Sequence, residues 1–302
     1  MIELEPFLRD DPTAVALDGT LTDPRHATVS VFDRGFLYGD SVFETLRTYR
    51  RTPFKLHEHV ERLAWSAERL GIAMPLGVAE LVAEVERNLR DAHTIDARLA
   101  DCDLSARIML TRGVGPFGLD PAGANQPLRV TFIRKVRQPP PGSYANGVAT
   151  LSVRTYRPSD AAGGAKVGNY LESILALKRA HAANAYEALI VNHLGHVLEG
   201  TTSNVFIIKD GALITPSLEH SILPGVTRGL VLDAARDLEL PVLEEPLTPE
   251  DIAGADEAFI TSTLREILPV SSHDGYPIGS ACPGPITLRL HARLRAREKL
   301  DD

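Results

Sequence analysis

The clearest helical pattern in the chain begins at Leu56, where apolar residues return every three or four positions as far as Leu70. Gly71 follows at once, and a glycine directly after the last apolar position is typical of a helix end. The same pattern, with its proline and glycine boundaries, predicts further helices at about 77–88, 171–182, 224–238 and 285–299.

Short runs rich in β-branched and aromatic residues lie between these helices and are bounded by turn residues. A glycine-containing turn followed by a strand is expected over 33–49. The other predicted strands are 27–32, 53–56, 106–111, 128–136, 148–153, 187–192, 197–198, 203–209, 212–215 and 257–261. Helices and strands are mixed in both halves of the chain, so the expected fold class is α+β with two mixed α/β domains.

One stiff segment separates the two halves of this pattern. Arg137-Gln-Pro-Pro-Pro-Gly142 carries three consecutive prolines, a composition typical of a semi-rigid linker. It predicts an N-terminal α/β domain at 1–136, a linker at 137–142 and a C-terminal domain at 143–302.

Composition narrows the classes of function. The chain has 302 residues, 44% hydrophobic and 24% charged, with a net charge of −8 and no basic patch, which argues against a nucleic-acid partner. No apolar run approaches the roughly 18 residues of a membrane helix, and the start Met1-Ile-Glu-Leu-Glu-Pro6 lacks the pattern of a signal peptide. Cys102 and Cys282 form no ligand pattern and are interpreted as reduced thiols of a cytoplasmic protein. His57 and His59 would point to different sides of a helix, so no metal site is expected.

Lys166 lies among glycines and small residues in the stretch 163–168. Leu171, Ile174 and Leu175 then fall at helical spacing and predict a packed helix immediately after it. A lysine in a semi-buried place loses its proton more easily and becomes an amine nucleophile for an aldehyde. A loop lysine at a helix start is the alternative for this residue taken alone.

A literal G-x-G-x-x-G occurs at 113–118, after a predicted strand. Pro116 and the proline- and glycine-rich run at 119–127 cannot form the helix that a dinucleotide loop must open. A nicotinamide cofactor is therefore not expected.

Several polar residues together match the needs of pyridoxal phosphate, which requires an amine, an acidic partner for its ring nitrogen and donors for its phosphate. Lys166 supplies the amine and Glu199 a carboxylate. Val226 and Thr227, at a predicted helix start after Gly225, offer backbone N–H groups, and Arg62 offers a fork of donors. Taken singly, each of these residues could equally belong to a helix surface, a turn or a loop.

The chain resembles the fold-type IV pyridoxal phosphate enzymes, the class IV aminotransferases. That group contains branched-chain aminotransferases, D-amino-acid aminotransferases and aminodeoxychorismate lyases. The similar stretches appear in order along most of the chain: 33–49, 57–67, 166–171, 198–206, 223–228 and 261–270. The resemblance implies the fold of the D-amino-acid aminotransferases and pyridoxal 5′-phosphate as cofactor.

The resemblance also implies a role for each matching residue. Lys166 is similar to the Schiff-base lysine that shuttles the proton, and Glu199 to the partner of the ring nitrogen. The further cofactor contacts that it implies are Tyr170 at the 3′ oxygen, Leu223 against the ring, and Arg62, Val226, Thr227 and Thr263 around the phosphate. Tyr38 and Phe43 are implied to line the substrate pocket, and together with Leu264 they would form a small apolar wall. The group further implies a homodimer, with the active site at the domain interface and some pocket residues from the neighbouring subunit.

Two departures from the family pattern concern the substrate. The Tyr-x-Arg of many branched-chain enzymes is Ser105-Ala106-Arg107 here, which keeps only the arginine. The Arg-x-His carboxylate trap of the best-known D-specific enzymes is replaced by Phe117-Gly118-Leu119. The candidates for holding a substrate carboxylate are Arg107, Arg112 and Arg265, although each could instead be a surface or structural arginine.

The expected function is transamination between a small-molecule amino donor and a 2-oxo acid, 2-oxoglutarate or pyruvate, with branched-chain L-amino acids favoured. A D-amino acid or an (R)-amine could replace the L-amino acid as donor. The chain could instead be an aminodeoxychorismate lyase, or a protein that binds pyridoxal phosphate without turnover.

Overall fold

The structure is a computed structural model that describes residues 5–155 and 163–300. The chain forms two compact units: the first contains Met1–Arg137 and Ala165–Asn169, and the second contains Gln138–Gly164 and Tyr170–Asp302. The short segment that carries Lys166 thus belongs to the first unit. The domain limits expected from the proline-rich segment stay a prediction, and the expectation about a signal peptide rests partly on residues 1–4, outside the described part.

The first unit is built on one antiparallel sheet. Its helices are α1 (Glu5–Asp10), α2 (Arg34–Tyr38), α3 (Leu56–Arg69) and α4 (Val78–Asp91). Its strands are β1 (Thr13–Leu17), β2 (Thr20–Thr22), β3 (Ser41–Tyr49), β4 (Thr52–Pro53), β5 (Leu104–Thr111) and β6 (Arg129–Lys135). The strand order is β2-β1-β6-β5-β3-β4.

One face of this sheet forms the core with α3 and α4. Val42 and Leu46 of β3 are fully buried against Val60 and Leu63 of α3. Because side chains alternate along a strand, Phe43 and Thr45 point to the opposite face. The face away from the helices is therefore available to functional side chains.

The second unit holds a larger mixed sheet. Its strands are β7 (Val148–Arg154), β8 (Glu187–Val191), β9 (Val197–Gly200), β10 (Asn204–Lys209), β11 (Ala212–Thr215), β12 (Val242–Glu244), β13 (Glu257–Ser262), β14 (Glu266–His273) and β15 (Tyr276–Pro277). Its helices are α5 (Ser143–Asn146), α6 (Leu171–Ala182), α7 (Val226–Asp237), α8 (Pro249–Ala253) and α9 (Pro285–Arg297). The sheet runs β12-β11-β10-β13-β14-β7-β8-β9, with β15 beside β14.

Both faces of this second sheet carry apolar side chains. Val205, Ile207 and Ile260 belong to one core cluster, whereas Phe206 and Phe259 alternate with them and stack at 5.1 Å between ring centroids. Alternation therefore also places Asn204 of β10 and Thr261 of β13, which are register partners, on the side of these two rings. The mixed α/β architecture confirms the expected α+β fold class.

The predicted strand at 27–32 is wrong. These residues form no strand, and Val29, Val31 and Phe32 are 44–61% exposed, so their alternation reflects a loop with outward apolar side chains. The turn expected before β3 is the short helix α2, and the strand expected at 53–56 is reduced to β4, since α3 begins at Leu56.

The packed helix predicted after Lys166 is present as α6, but its packing face is not the predicted one. Leu171, Ile174 and Leu175 are 62%, 59% and 50% exposed, while Ala176 and Ala180 are buried. The smaller residues therefore face the sheet, and the large apolar residues form an exposed stripe.

Candidate active site

Lys166 is held by its backbone at the edge of β3. Its carbonyl accepts a hydrogen bond from the Phe43 N–H at 3.0 Å, and its own N–H donates to the Ser66 hydroxyl of α3 at 3.2 Å. The next residue, Val167, forms an isolated antiparallel bridge with Val42. The position of this lysine is therefore fixed by strand pairing as well as by its loop.

Gly168 permits this pairing. Its N–H donates to the Ser41 carbonyl at 2.7 Å, and a Cβ at this position would lie only 2.0 Å from the Ser41 hydroxyl. This glycine, two residues after the lysine, is thus favoured by the close approach of Ser41 rather than by an unusual dihedral angle.

The Lys166 side chain reaches the ring of Phe43. Its Nζ lies 4.8 Å from the ring centroid, and the Arg107 guanidinium carbon lies 3.9 Å from the same centroid. Arg107 is the register partner of Thr45, so Phe43 and Arg107 share the face of the sheet that α3 does not cover. Both cations are within the range at which the ring face attracts positive charge.

Arg62 is oriented by a buried carboxylate. Its Nε and Nη2 donate to the two oxygens of Glu44 at 2.6 and 2.8 Å, and His59 Nδ1 lies 2.8 Å from Glu44 Oε2. The side chains of Glu44 and His59 are completely buried, and that of Arg62 is 10% exposed. A two-bonded fork of this kind fixes the plane of the guanidinium.

The charges of this cluster follow from its geometry. Burial would raise the pKa of Glu44, but the charge and hydrogen bonds of Arg62, with those of His59, outweigh it and lower this pKa to about 2. Burial lowers the pKa of His59, and the charges of Arg62 and Lys166 lower it further against the effect of Glu44. Glu44 is therefore a carboxylate and His59 a neutral imidazole at pH 7.

Sequence reasoning missed Glu44, His59 and Ser66. A usable signal was present for the first: Glu44 lies two residues from both Val42 and Leu46, so it shares their core-facing side of the strand. A buried acid needs a partner, and α3 offered two candidates.

Tyr38 is attached to the glycine-rich loop. Its hydroxyl accepts a hydrogen bond from the Gly118 N–H at 2.9 Å. The buried Arg34 donates to the carbonyls of Gly118 and Leu119 at 2.9 and 3.1 Å. No helix occurs within 112–128, as the prolines and glycines of this stretch predicted.

Arg112 is occupied by structural partners. It donates to both oxygens of Asp40 at 2.7 and 3.0 Å and to the carbonyls of Leu70 and Gly71 at 2.8 and 2.6 Å. Burial would raise the pKa of Asp40, but hydrogen bonds from Arg112 and Arg34 lower it overall. Arg112 could hold a substrate carboxylate only by exchanging these bonds.

In the second unit, Glu199 lies in β9 and is 8% exposed. Its Oε2 accepts a hydrogen bond from the Leu223 N–H at 3.1 Å, and the Leu223 carbonyl accepts one from Asn204 Nδ2 at 3.0 Å. The predicted acidic residue and the predicted ring-packing residue are therefore in direct contact. Asn204 was not identified from the sequence.

Val226 and Thr227 begin α7, as predicted. Gly225 is the N-cap residue and makes no side-chain cap, so the first N–H groups of this 12-residue helix are left for another acceptor. Thr261 is 1% exposed, and within the described residues its hydroxyl has no hydrogen-bond partner. Unpaired donors at a helix N-terminus are suited to an anion such as a phosphate.

Thr263, Leu264 and Arg265 form the turn between β13 and β14, and all three are half-buried. Arg265 Nη1 donates to the buried carboxylate of Glu187 at 3.2 Å, and its Nη2 donates to the Thr202 carbonyl at 2.8 Å. Like Arg112, Arg265 is held by protein groups of its own unit.

The predicted residues thus form several groups. In the first unit, Lys166 and Arg107 both contact Phe43, and Arg62 belongs to the Glu44 cluster. Tyr38 is bonded to the glycine-rich loop, and Arg112, just before that loop, is bonded to structural partners. In the second unit, Glu199 contacts Leu223, Val226 and Thr227 open α7, Thr263–Arg265 form one turn, and Tyr170 is half-buried before α6.

Other kinds of site find no support in the described part of the chain. No three histidine, cysteine or acidic side chains among residues 5–155 and 163–300 come together as metal ligands. Cys102 and Cys282 are both free thiols. None of the helices in these ranges is long and apolar enough to cross a bilayer.

Comparison with known proteins gives consistent results. The family model described as amino-transferase class IV matches residues 41–273. A protein of Methanocaldococcus jannaschii named "Putative branched-chain-amino-acid aminotransferase" is 41% identical over 93% of this chain and 95% of its own. The D-alanine aminotransferase of Bacillus licheniformis is 34% identical over 93% and 95%.

Solved structures of several related enzymes share the fold. The Escherichia coli branched-chain amino acid aminotransferase has a TM-score of 0.84 at 28% identity, covering 92% of this chain and 91% of its own. The branched-chain amino acid aminotransferase from T.th., complexed with N-(5′-phosphopyridoxyl)-L-glutamate, has a TM-score of 0.81 at 30% identity, covering 95% and 94%. The 4-amino-4-deoxychorismate lyase of Pseudomonas aeruginosa has a TM-score of 0.80 at 30% identity, covering 93% and 98%.

Proposed function

This chain belongs to the class IV aminotransferases, and on that premise we propose that it transfers amino groups with pyridoxal 5′-phosphate, leaning to branched-chain L-amino acids as donors. The cofactor supplies an aldehyde for the donor's amine and a ring that takes up electrons. The family implies an amino acid and a 2-oxo acid as the two substrates. We favour 2-oxoglutarate as acceptor.

The donor set of the chain fits this cofactor. An amine is available at Lys166, which strand pairing holds in place. The uncapped N–H groups of Val226 and Thr227 are suited to a phosphate, as is the hydroxyl of Thr261, which has no partner in the described part of the chain. Glu199 is a carboxylate with one oxygen fixed by a backbone N–H, a suitable partner for a protonated ring nitrogen.

We assign the following roles to these side chains. Lys166 binds the cofactor and carries the proton on its Nζ, Glu199 keeps the ring nitrogen protonated, and Arg62, Thr227 and Thr263 contact the phosphate with the Val226 N–H. Tyr170 hydrogen-bonds the 3′ oxygen of the cofactor, and Leu223 packs on its ring.

The lean towards branched-chain donors rests on the residues expected to contact the substrate. Arg107 is fixed on Phe43 at 3.9 Å, where it is suited to a carboxylate beside an apolar wall. The positions of the D-specific trap hold Phe117 and Leu119, which are 74% and 83% exposed and carry no charge. The 41% identity to the Methanocaldococcus jannaschii protein supports the same donors.

A half-reaction tests the donor. The cofactor-loaded protein is mixed with L-leucine and, separately, with D-alanine, while the absorbance of the bound cofactor is followed without an acceptor. We expect L-leucine to change this absorbance at least tenfold faster than D-alanine. L-alanine serves as the control for side-chain size, so that size and handedness are separated.

A D-amino acid or (R)-amine is the second candidate, favoured by the 34% identity to a D-alanine aminotransferase. Fast change with D-alanine and none with L-leucine would reverse the lean. Pyruvate release from aminodeoxychorismate, without amino transfer, would instead assign a lyase. Cofactor uptake with no response to any donor would mean a binding protein.

We also propose a homodimer. The exposed stripe on α6 contains three large apolar residues, and a second apolar patch lies on the first unit, where Phe32 and Phe117 meet edge to face at 5.8 Å. Contiguous exposed apolar surface of this kind is typical of protein interfaces. In homo-oligomers such faces pair most often in two-fold symmetric dimers.

A further inference from the structure

We propose that Asn204 is the positioning residue that sets the first turn of α7 for the cofactor phosphate, acting through the carbonyl of Leu223. This inference rests on the proposed use of pyridoxal phosphate. Asn204 is 4% exposed and does not itself offer a group to the phosphate. Its role is to hold the backbone at Leu223, which leads into the helix whose first N–H groups would contact the phosphate.

The contact is direct and specific. Asn204 Nδ2 donates to the Leu223 carbonyl at 3.0 Å, while the Leu223 N–H donates to Glu199 at 3.1 Å. The backbone of one residue is thus held from both sides. The N–H side is tied to the acid proposed for the ring nitrogen, and the carbonyl side leads through Pro224 into α7.

Gly225 shows how closely the helix start lies on Asn204. A Cβ at Gly225 would be 2.1 Å from Asn204 Oδ1, although the φ of −62° and ψ of 132° suit any residue. The glycine is therefore required by the asparagine beneath it. Since Gly225 is the N-cap residue, its position determines where the N–H groups of Val226 and Thr227 point.

Thr261 indicates independently that a polar group belongs here. It is the register partner of Asn204 between β10 and β13, so both side chains lie on the same side of the sheet. Its hydroxyl is buried, and within the described residues it has no hydrogen-bond partner. Buried hydroxyls are nearly always satisfied, so this one points to a bound group at the start of α7.

An aspartate could not replace the asparagine in this role. Its carboxylate would face the Leu223 carbonyl without a proton to donate, and its negative charge would lie beside the proposed phosphate site. Asn204→Asp therefore keeps the shape of the side chain while removing the proposed function of its amide.

The test compares pyridoxal phosphate with pyridoxal, which lacks the phosphate. The full-length protein is stripped of cofactor, and the affinity for each compound is measured for wild type, Asn204→Asp and Asn204→Ala. We expect the affinity of both variants for pyridoxal phosphate to fall about tenfold, which corresponds to the loss of one strong hydrogen bond. The affinity for pyridoxal should change less than twofold. Asn192→Ala is the matched control, because Asn192 also holds backbone, by accepting from the Leu194 and His196 N–H groups in a hairpin turn.

Each outcome decides the proposal. Equal losses for both compounds, or a loss of thermal stability without a change in their affinity ratio, would make Asn204 an ordinary fold residue and overturn the inference. Unchanged affinities would also overturn it. If the wild type takes up neither compound, the proposed function itself fails. Should Asn204→Ala not fold, Asn204→Asp carries the test because it preserves shape.

Discussion

Glu44 determines what Arg62 can do. The guanidinium is bonded to the carboxylate through two nitrogens, so its plane is set before any ligand arrives. Because His59 is neutral, the charges of Glu44 and Arg62 alone nearly cancel inside the unit. The arginine would therefore offer oriented hydrogen bonds to a phosphate more than net positive charge.

Glu44→Gln should destabilise the protein by about 3–5 kcal/mol at pH 7, because it leaves a buried cation without its partner. The folded pKa of Glu44 is about 2, against an ordinary value of 4.5. The stabilisation is thus complete above about pH 4.5 and is lost as the pH falls towards 2. Urea unfolding at pH 6, 4 and 3 should show the wild-type and variant free energies of unfolding converging.

Glu58→Gln is the control for this experiment, since Glu58 lies exposed on the same helix. It should change the free energy of unfolding by less than about 0.5 kcal/mol at every pH. A constant gap between wild type and Glu44→Gln down to pH 3 would show that the carboxylate charge is not what stabilises the cluster.

At the scale of elements, the edge of β3 decides where the lysine stands. The sheet leaves this edge open at Ser41–Phe43, because β4 pairs only with the far end of the strand. The segment 165–169 occupies the open edge through two backbone hydrogen bonds, which together form one antiparallel bridge. The lysine is therefore as well placed as a strand residue, although it lies outside every regular element.

Gly168→Ala should displace this segment, since the new methyl group would overlap the Ser41 hydroxyl. We expect a loss of about 1–3 kcal/mol in stability, typical of overpacking, and at least tenfold less cofactor fixed to Lys166 by borohydride reduction and peptide mapping. Gly229→Ala is the matched control: no heavy atom lies within 4 Å of its Cβ position in α7, so it should gain about 0.5–1 kcal/mol. Equal labelling in both variants would contradict the role of the strand edge.

At the scale of the whole molecule, the exposed stripe of α6 is the surface proposed for the homodimer. Leu175→Glu should convert a dimer to monomers, because it places a charge in the centre of the stripe. Analytical ultracentrifugation of the two species would measure the shift. Leu288→Glu is the matched control, since Leu288 is a similarly exposed leucine, 53%, on another helix. A dimer that survives the first change, or a wild type that is monomeric, would contradict this surface.

Much of the molecule was predictable from local pattern. The helix α3 and the strands β5 and β6 follow directly from spacing, and the order of the family stretches identified Lys166 and Glu199 as candidates. β14 was missed because Pro269 interrupts its apolar run. Pro269 is tolerated because β14 pairs with β7 only from Val270 onward, so the proline faces one strand rather than two.

Contacts between distant parts of the chain could not be predicted in this way. The partners of Glu44 come from a helix about 15 residues later, and the partner of Asn204 from a loop about 20 residues later. Leu171, Ile174 and Leu175 of α6 were wrongly predicted to pack inside the protein. Residue spacing shows that a helix face is apolar, but it does not show whether that face is buried. The strand predicted at 27–32 was wrong for the same reason, because its alternating apolar side chains are exposed.

The segment 165–169 belongs to the first unit but is synthesised after part of the second, and this order affects folding during translation. A ribosome completes residues 1–137 and must then add the start of the second unit before the piece that closes the edge of β3 exists. At about 5–20 residues per second, the nascent first unit waits a few seconds with an unpaired strand edge. During that interval it is open to pairing with another nascent chain. Slower translation while residues 138–169 leave the ribosome should therefore lower the yield of folded enzyme, whereas slowing after residue 169 has left it should not.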